Sequence, residues 1–153
     1  MAILDIKKAG AAVLKEQAAP VERIDKTVRT LLDDMAETMY KANGVGLAAP
    51  QVGQSIQLVT IDVGDGLIEL VNPVIIRKEG SAVDTEGCLS VPGIYGEVER
   101  AAKVSVEFLN RRGKRHRITA EGLLARCLQH EIDHLHGRLF IDIAQNLHKA
   151  ENK

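Results

Sequence analysis

Glu121-Gly122-Leu123-Leu124-Ala125-Arg126-Cys127-Leu128-Gln129-His130-Glu131-Ile132-Asp133-His134-Leu135-His136 is the stretch around which the rest of the chain must be arranged. It reads as an α-helix from about Glu121 to His136, with Gly137 placed to cap it in the left-handed conformation. Each helical residue advances by about 100°, so His130 and His134 project from one face, one turn apart. Two imidazoles at that spacing can hold one divalent metal ion. Glu131 sits beside the first of them, able to move protons for a metal-bound water but poorly placed to be a ligand. The pattern His-Glu-x-x-His therefore points to metal-assisted hydrolysis. It is also incomplete, because a catalytic site of this kind needs three protein ligands and one open position.

The remainder of the chain narrows the class. At 153 residues it is long enough for one domain, spanning 1–153, that buries about 70% of the unfolded surface. Twenty basic residues nearly cancel 21 acidic ones, so no bulk attraction to nucleic acid or membrane is expected. No apolar run reaches the roughly 18 residues of a membrane span, and Asp5, Lys7 and Lys8 fall too early for a secretory signal. A cytoplasmic location follows as the expectation. There, two cysteines are metal-binding, catalytic or buried rather than disulfide-bonded. With no Trp, two Tyr and two Phe, a base-stacking surface is not expected.

Before the helix, the first twenty residues read as an irregular arm ending at Pro20. Apolar residues Ile24, Val28, Leu31, Leu32, Met35 and Met39 recur at helical spacing from Val21, and Asn43-Gly44 supplies a stop. A loop with Gly44, Gly46 and Pro50 follows. Strands are expected at Ile56 to Val63 and Leu67 to Arg77, joined at Gly64-Asp65-Gly66. After a polar stretch and Glu86-Gly87-Cys88-Leu89-Ser90, an alternating run from about Glu97 to Leu109 turns at Asn110-Arg111-Arg112-Gly113 into a strand near Arg115 to Thr119. Helix, strands, helix in that order predicts an α+β fold: a single domain of small antiparallel sheets packed around the metal-binding helix.

Several residues compete to be the third ligand. His136 points away from His130 around the helix. His116 lies in the basic segment Lys114-Arg115-His116-Arg117, which reads as a solvated face, and His148 lies in a polar tail. Cys88 sits among Gly87, Pro92 and Gly93, in constrained backbone. A buried cysteine is by default a small hydrophobe, but next to a two-histidine helix that lacks a donor, Cys88 becomes the favoured candidate. Cys127, about 60° from His130 around the helix, reads instead as a buried residue lining a pocket.

Three separated segments, Gly44-Val45-Gly46-Leu47-Ala48-Ala49-Pro50-Gln51, Glu86-Gly87-Cys88-Leu89-Ser90 and Gln129-His130-Glu131-Ile132-Asp133-His134, resemble in order and spacing the three signature motifs of peptide deformylases. The resemblance runs from the N-terminal arm to about Ile143. It implies that Cys88, His130 and His134 bind the metal, typically Fe²⁺ in the cell with Zn²⁺, Ni²⁺ or Co²⁺ as substitutes. It implies that Glu131 is the general acid/base, that Gln51 and the Leu89 N–H bind the developing oxyanion, and that Val45 and Gly46 flank the substrate backbone. The implied activity is removal of the formyl group from N-terminal formylmethionine of new polypeptides. The ribosome is then a candidate partner, although the short tail after Asp142 lacks the longer C-terminal helix that docks some relatives there.

These residue types suit that chemistry. A thiolate ligand makes the metal less acidic, and the Glu131 carboxylate compensates by accepting a proton and passing it to the departing amine. Gly44-Val45-Gly46 is no phosphate cradle: it follows a helix and has no Lys-Ser/Thr. Two close glycines instead let an extended substrate pair with the backbone. Val45, Leu123, Cys127 and the stem of Arg126, with its charged head reaching water, are the candidate walls for an unbranched thioether side chain. Glu86 is a candidate partner for a ligand imidazole; Asp133 receives no catalytic role. Two rival readings are a zinc peptidase of the His-Glu-x-x-His type and a non-catalytic metal-binding, ribosome-associated protein. The first needs a third His or carboxylate downstream, and the second has no use for Glu131.

Overall fold

Asp25 starts the first helix, its side chain accepting the Val28 N–H at 3.0 Å. In the computed structural model, which describes residues 2–149, α1 spans Lys26–Lys41. It begins five residues later than the apolar spacing suggests. Val21 and Ile24 do pack against the α1 core, but from extended backbone: the Val21 N–H and C=O are both taken by the side chain of Asn72, at 2.7 and 2.9 Å. Asn43, at φ 58°, ends the helix where the Asn-Gly pair predicts.

The strands are β1 Gly46–Ala48, β2 Leu58–Ile61, β3 Ile68–Glu79, β4 Ala82–Cys88, β5 Val91–Arg100, β6 Lys103–Leu109, β7 Arg115–Glu121 and, after α2 at Gly122–Leu135, β8 Gln145–Lys149. They form two antiparallel sheets, ordered β1-β2-β3-β6-β7 and β4-β5-β8. The expected α+β architecture, a single unit of antiparallel sheets packed around the helix that carries His130 and His134, is the observed one.

Three local expectations change. The run from Glu97 to Leu109 is two strands in different sheets. The break falls at Ala101, whose N–H and C=O are bound by the Gln129 side-chain amide at 3.0 and 2.9 Å instead of by a neighbouring strand. The polar stretch before Cys88 is strand β4, exposed over its first four residues and so without the alternation that marks a half-buried strand. The tail contributes β8, exposed throughout, with His148 paired opposite Tyr95.

Helix α2 is buried on nearly every side. Ala125, Leu128, Ile132 and Leu135 pack on the large sheet with Val59, Ile61, Val104 and Val106. Each fully buried leucine contributes on the order of 2 kcal/mol. Helix α1 packs Leu32, Met35 and Met39 against Leu47, Leu58 and Val71. The small sheet has its own cluster of Leu14, Val91, Val98, Leu139 and Phe140. Gly137 closes α2 at φ 75°, where a Cβ would lie 2.5 Å from the Lys15 carbonyl oxygen. This position therefore requires glycine both for its backbone angle and for the close approach of the arm. No helix among the described residues is long and apolar enough to cross a membrane.

Candidate active site

Cys88 is the last residue of β4, and the helix face carrying His130 and His134 packs against it. The donor atoms of the three residues lie within 4.8 Å of one another, and Cys88 Sγ is 3.4 Å from His134 Nε2. A tetrahedral ion with Zn–S near 2.3 Å and Zn–N near 2.05 Å requires about 3.6 Å between such donors, so this pair already has the right separation. Among the described residues no other His, Cys, Asp or Glu joins the group. His136 pairs with Gln17, His116 stacks on Phe108 with ring centroids 5.8 Å apart, and His148 stacks on Tyr95.

The surroundings fix the donors. His130 Nδ1–H donates to Glu86 Oε1 at 2.8 Å, leaving Nε2 for the site. Its ring also stacks on Phe140, with centroids 6.1 Å apart. Burial alone would lower the His130 pKa. Hydrogen bonds to Cys88 and Glu86 and the charge of Glu131 instead hold it up at about 10. These acidic groups create a local demand for positive charge, which a divalent cation meets. Burial, with the charges of His130 and Arg100, keeps His134 well below its ordinary value and therefore a neutral imidazole. A soft thiolate with two imidazoles suits Fe²⁺, Zn²⁺, Co²⁺ or Ni²⁺, so the residues present fit a metal ion.

Glu131 is 5% exposed. Burial raises its carboxyl to about 7 against the opposing pull of the His130 and Arg100 charges. Among the described residues its Oε1 has no hydrogen-bond partner. Across from it runs Gly46, where a Cβ would fall 2.6 Å from Glu131 Oε2. The glycine is there so that β1 can lie against the carboxylate.

Gln51 is not a surface amide, as it would be without its motif; it is 1% exposed. It sits in the 3-10 turn Ala49–Val52, its Oε1 accepting the Ala48 N–H at 2.9 Å. Its Nε2 donates to Ser90 Oγ at 3.1 Å and lies 3.5 Å from Cys88 Sγ, which brings an amide donor to the metal donors. Leu89 occupies the turn between β4 and β5, and its side chain rests on Gly44. Beside these residues opens a cavity of about 410 Å³, lined by Val45, Gly46, Leu123, Arg126 and Cys127 together with Cys88, His130 and Glu131. Burial pushes the Cys127 thiol up to about 12, so it lines the cavity as a neutral group, while Val45 is exposed at the rim.

The Arg126 head, expected to reach water, is mostly held by protein groups, and only its outermost bond is exposed. Its Nη1 donates to Glu86 Oε2 at 2.6 Å and Val98 O at 2.9 Å, and its Nη2 donates to Ala82 O at 3.0 Å. Arg100 escaped the sequence reading altogether. It holds Glu86 through Nε and Nη2 at 2.7 and 2.9 Å and Asp133 through Nη1 at 2.9 Å. It carries no motif signal: its partners Glu86 and Asp133 lie 14 and 33 residues away, and the strand register sets Arg100 opposite Ala82 rather than Glu86. Burial alone would raise the Glu86 pKa, but the hydrogen bonds and charges of His130 and Arg100 outweigh it and hold the carboxyl down at about 2.

A sequence model of the family described as Polypeptide deformylase matches residues 3–150. The peptide deformylase of Desulfitobacterium hafniense is 61% identical over 145 residues, covering 95% of this chain and 97% of that one. The peptide deformylase of Pelotomaculum thermopropionicum is 54% identical over 153 residues, covering 100% and 99%. The crystal structure of peptide deformylase from Thermotoga maritima superposes with a TM-score of 0.92 at 42% identity, covering 94% of this chain and 98% of that one.

Proposed function

The chain belongs to the polypeptide deformylase family, and we infer from that membership and from the site that Cys88, His130, His134 and Glu131 carry out the hydrolysis of N-terminal formylmethionine. The activity is metal-dependent removal of the formyl group from new polypeptides. We assign Fe²⁺ as the ion in the cell, Zn²⁺, Ni²⁺ and Co²⁺ as substitutes, and the cytoplasm as the compartment. The observation that carries the assignment of roles is Glu131: a buried carboxyl raised to about 7, with a partnerless oxygen, beside three convergent metal donors.

When bound, the divalent ion supplies a Lewis acid and brings the pKa of a water from 15.7 to about 7. The residues of the chain do the rest. Glu86, held by two guanidinium groups, keeps the proton on His130 Nδ1 and aims Nε2 at the site. Glu131 accepts the proton of the attacking water and returns it to the nitrogen as the formyl C–N bond breaks, so that formate and a free amine leave. A pKa near the working pH suits a group that both takes and gives a proton. Gln51 Nε2 and the Leu89 N–H donate to the formyl oxygen as it gains charge, each worth on the order of 3 kcal/mol. The methionine side chain enters the cavity between Val45, Leu123 and Cys127.

Gly46→Ala tests how closely Glu131 is positioned. The added methyl has nowhere to go except into the carboxylate, and a displacement of about 1 Å can cost 10²-fold. We expect kcat/KM on a formyl-Met peptide to fall by about 10² while the bound metal stays stoichiometric. An unchanged kcat/KM would show that Glu131 tolerates displacement and is not the proton carrier.

The activity itself is tested by presenting Fe²⁺-loaded protein, kept anaerobic, with formyl-Met-Ala-Ser and with longer unformylated peptides. Formate released mole for mole with new amine, and no internal cleavage, is the expected result. Internal cleavage would favour the zinc-peptidase reading, and no turnover with any of the four ions would favour a non-catalytic metal protein.

A further inference from the structure

Glu86 is bound more tightly than neutralising its charge requires. Arg100 already grips it with two bonds, at 2.7 and 2.9 Å, yet Arg126 Nη1 adds a third at 2.6 Å. The other bonds of Arg126 go to one backbone carbonyl on each strand of the β4–β5 hairpin, Ala82 O and Val98 O. Its side chain is only 11% exposed, its stem lines the cavity, and it stands one helical turn before His130. Three things meet in this one side chain: the cavity wall, the small sheet whose strand β4 ends in Cys88, and the carboxylate that orients His130. Without Arg126, Glu86 would be held mainly by Arg100, which is also drawn to Asp133 at 2.9 Å, and would be free to follow it away from His130.

We propose that Arg126 is a positioning residue that acts through Glu86 to fix the His130 ring, while its stem closes the sheet side of the side-chain pocket. The proposal rests on the assignment of Cys88, His130 and His134 as the metal donors. A lysine cannot replace the arginine, because a point charge on a flexible stem does not span a carboxylate and two carbonyls at once. A plain strut between helix and sheet would support stability only. A positioning residue changes metal affinity, and does so only while Glu86 is present to transmit the effect.

The test uses Co²⁺ as the probe in wild type, Arg126→Met, Arg126→Lys, Glu86→Gln and the double variant Glu86→Gln/Arg126→Met. Affinity is read by chelator competition and ligand geometry by the visible Co²⁺ absorption bands. Loss of an outer partner of a metal ligand costs about 10- to 100-fold in affinity. Arg126→Met should therefore lose about 10-fold and shift the bands, Arg126→Lys should restore less than half of that loss, and the double variant should be within about twofold of Glu86→Gln alone. Wild-type affinity and spectrum in Arg126→Met, or losses that multiply in the double variant, would overturn the proposal. Should Arg126→Met not fold, Arg126→Lys decides: wild-type affinity and spectrum there overturn the proposal equally. Wild-type protein that binds no Co²⁺ would instead overturn the donor assignment.

Discussion

Glu131→Gln is expected to keep its metal and lose at least about 10³ in kcat. The amide matches the carboxylate in size, and Glu131 is not needed as a donor, since Cys88, His130 and His134 already supply three. What the substitution removes is the ability to take a proton and give it back, which contributes about 10²–10⁴ in such reactions. The upper part of that range is expected because the same group serves both halves of the reaction. Among the described residues no second acid or base is placed to replace it: Glu86 is saturated by His130, Arg100 and Arg126, Asp133 is engaged by Arg100, and the Cys127 thiol is held neutral by burial. Metal analysis alongside formate release checks the prediction. A variant retaining a tenth or more of wild-type turnover would remove Glu131 from the central role.

Cys88→Ala should abolish activity by the opposite route, through loss of the ion. Metal sites with a full set of protein ligands bind with roughly 10 kcal/mol or more. Removing one of three donors should cost about 3 kcal/mol, or two orders of magnitude in affinity. The fold should survive, since Cys88 is half-buried and its neighbours Gln51 and His134 keep other supports: Gln51 retains Ala48 and Ser90, and His134 stays within the packed helix. Inductively coupled plasma analysis after dialysis, with a thermal melt of the metal-free protein, separates the two effects. Full metal occupancy in Cys88→Ala would mean that a different donor completes the site.

The sequence made α2 legible because its donors repeat at helical spacing and Gly137 marks its end. Cys88 became legible through the gap those donors left, and Gln51 through its motif. The obscure parts share a physical cause: residues whose partners are far away in sequence. Strand β4 is polar because its outer face is solvated, so it has no period-two signal, and the side-chain bonds of Arg100 to Glu86 and Asp133, 14 and 33 residues away, leave no local pattern either. The break at Ala101 depends on the Gln129 amide, 28 residues on. The position of Arg126 on α2 indicated which face its stem covers, but not that two strand carbonyls stand within reach of its head. Strand β8 is exposed at every residue and is fixed by backbone pairing with β5, which leaves no apolar pattern to read.

We place one metal ion between the Cys88 thiolate of β4 and the His130 and His134 imidazoles of α2. X-ray absorption of the Zn²⁺-loaded protein tests this placement directly. One sulfur scatterer at about 2.3 Å and two imidazole nitrogens at about 2.0–2.1 Å are expected, with the sulfur signal gone in Cys88→Ser. A first shell of nitrogen and oxygen alone in the wild-type protein would exclude Cys88 as a ligand.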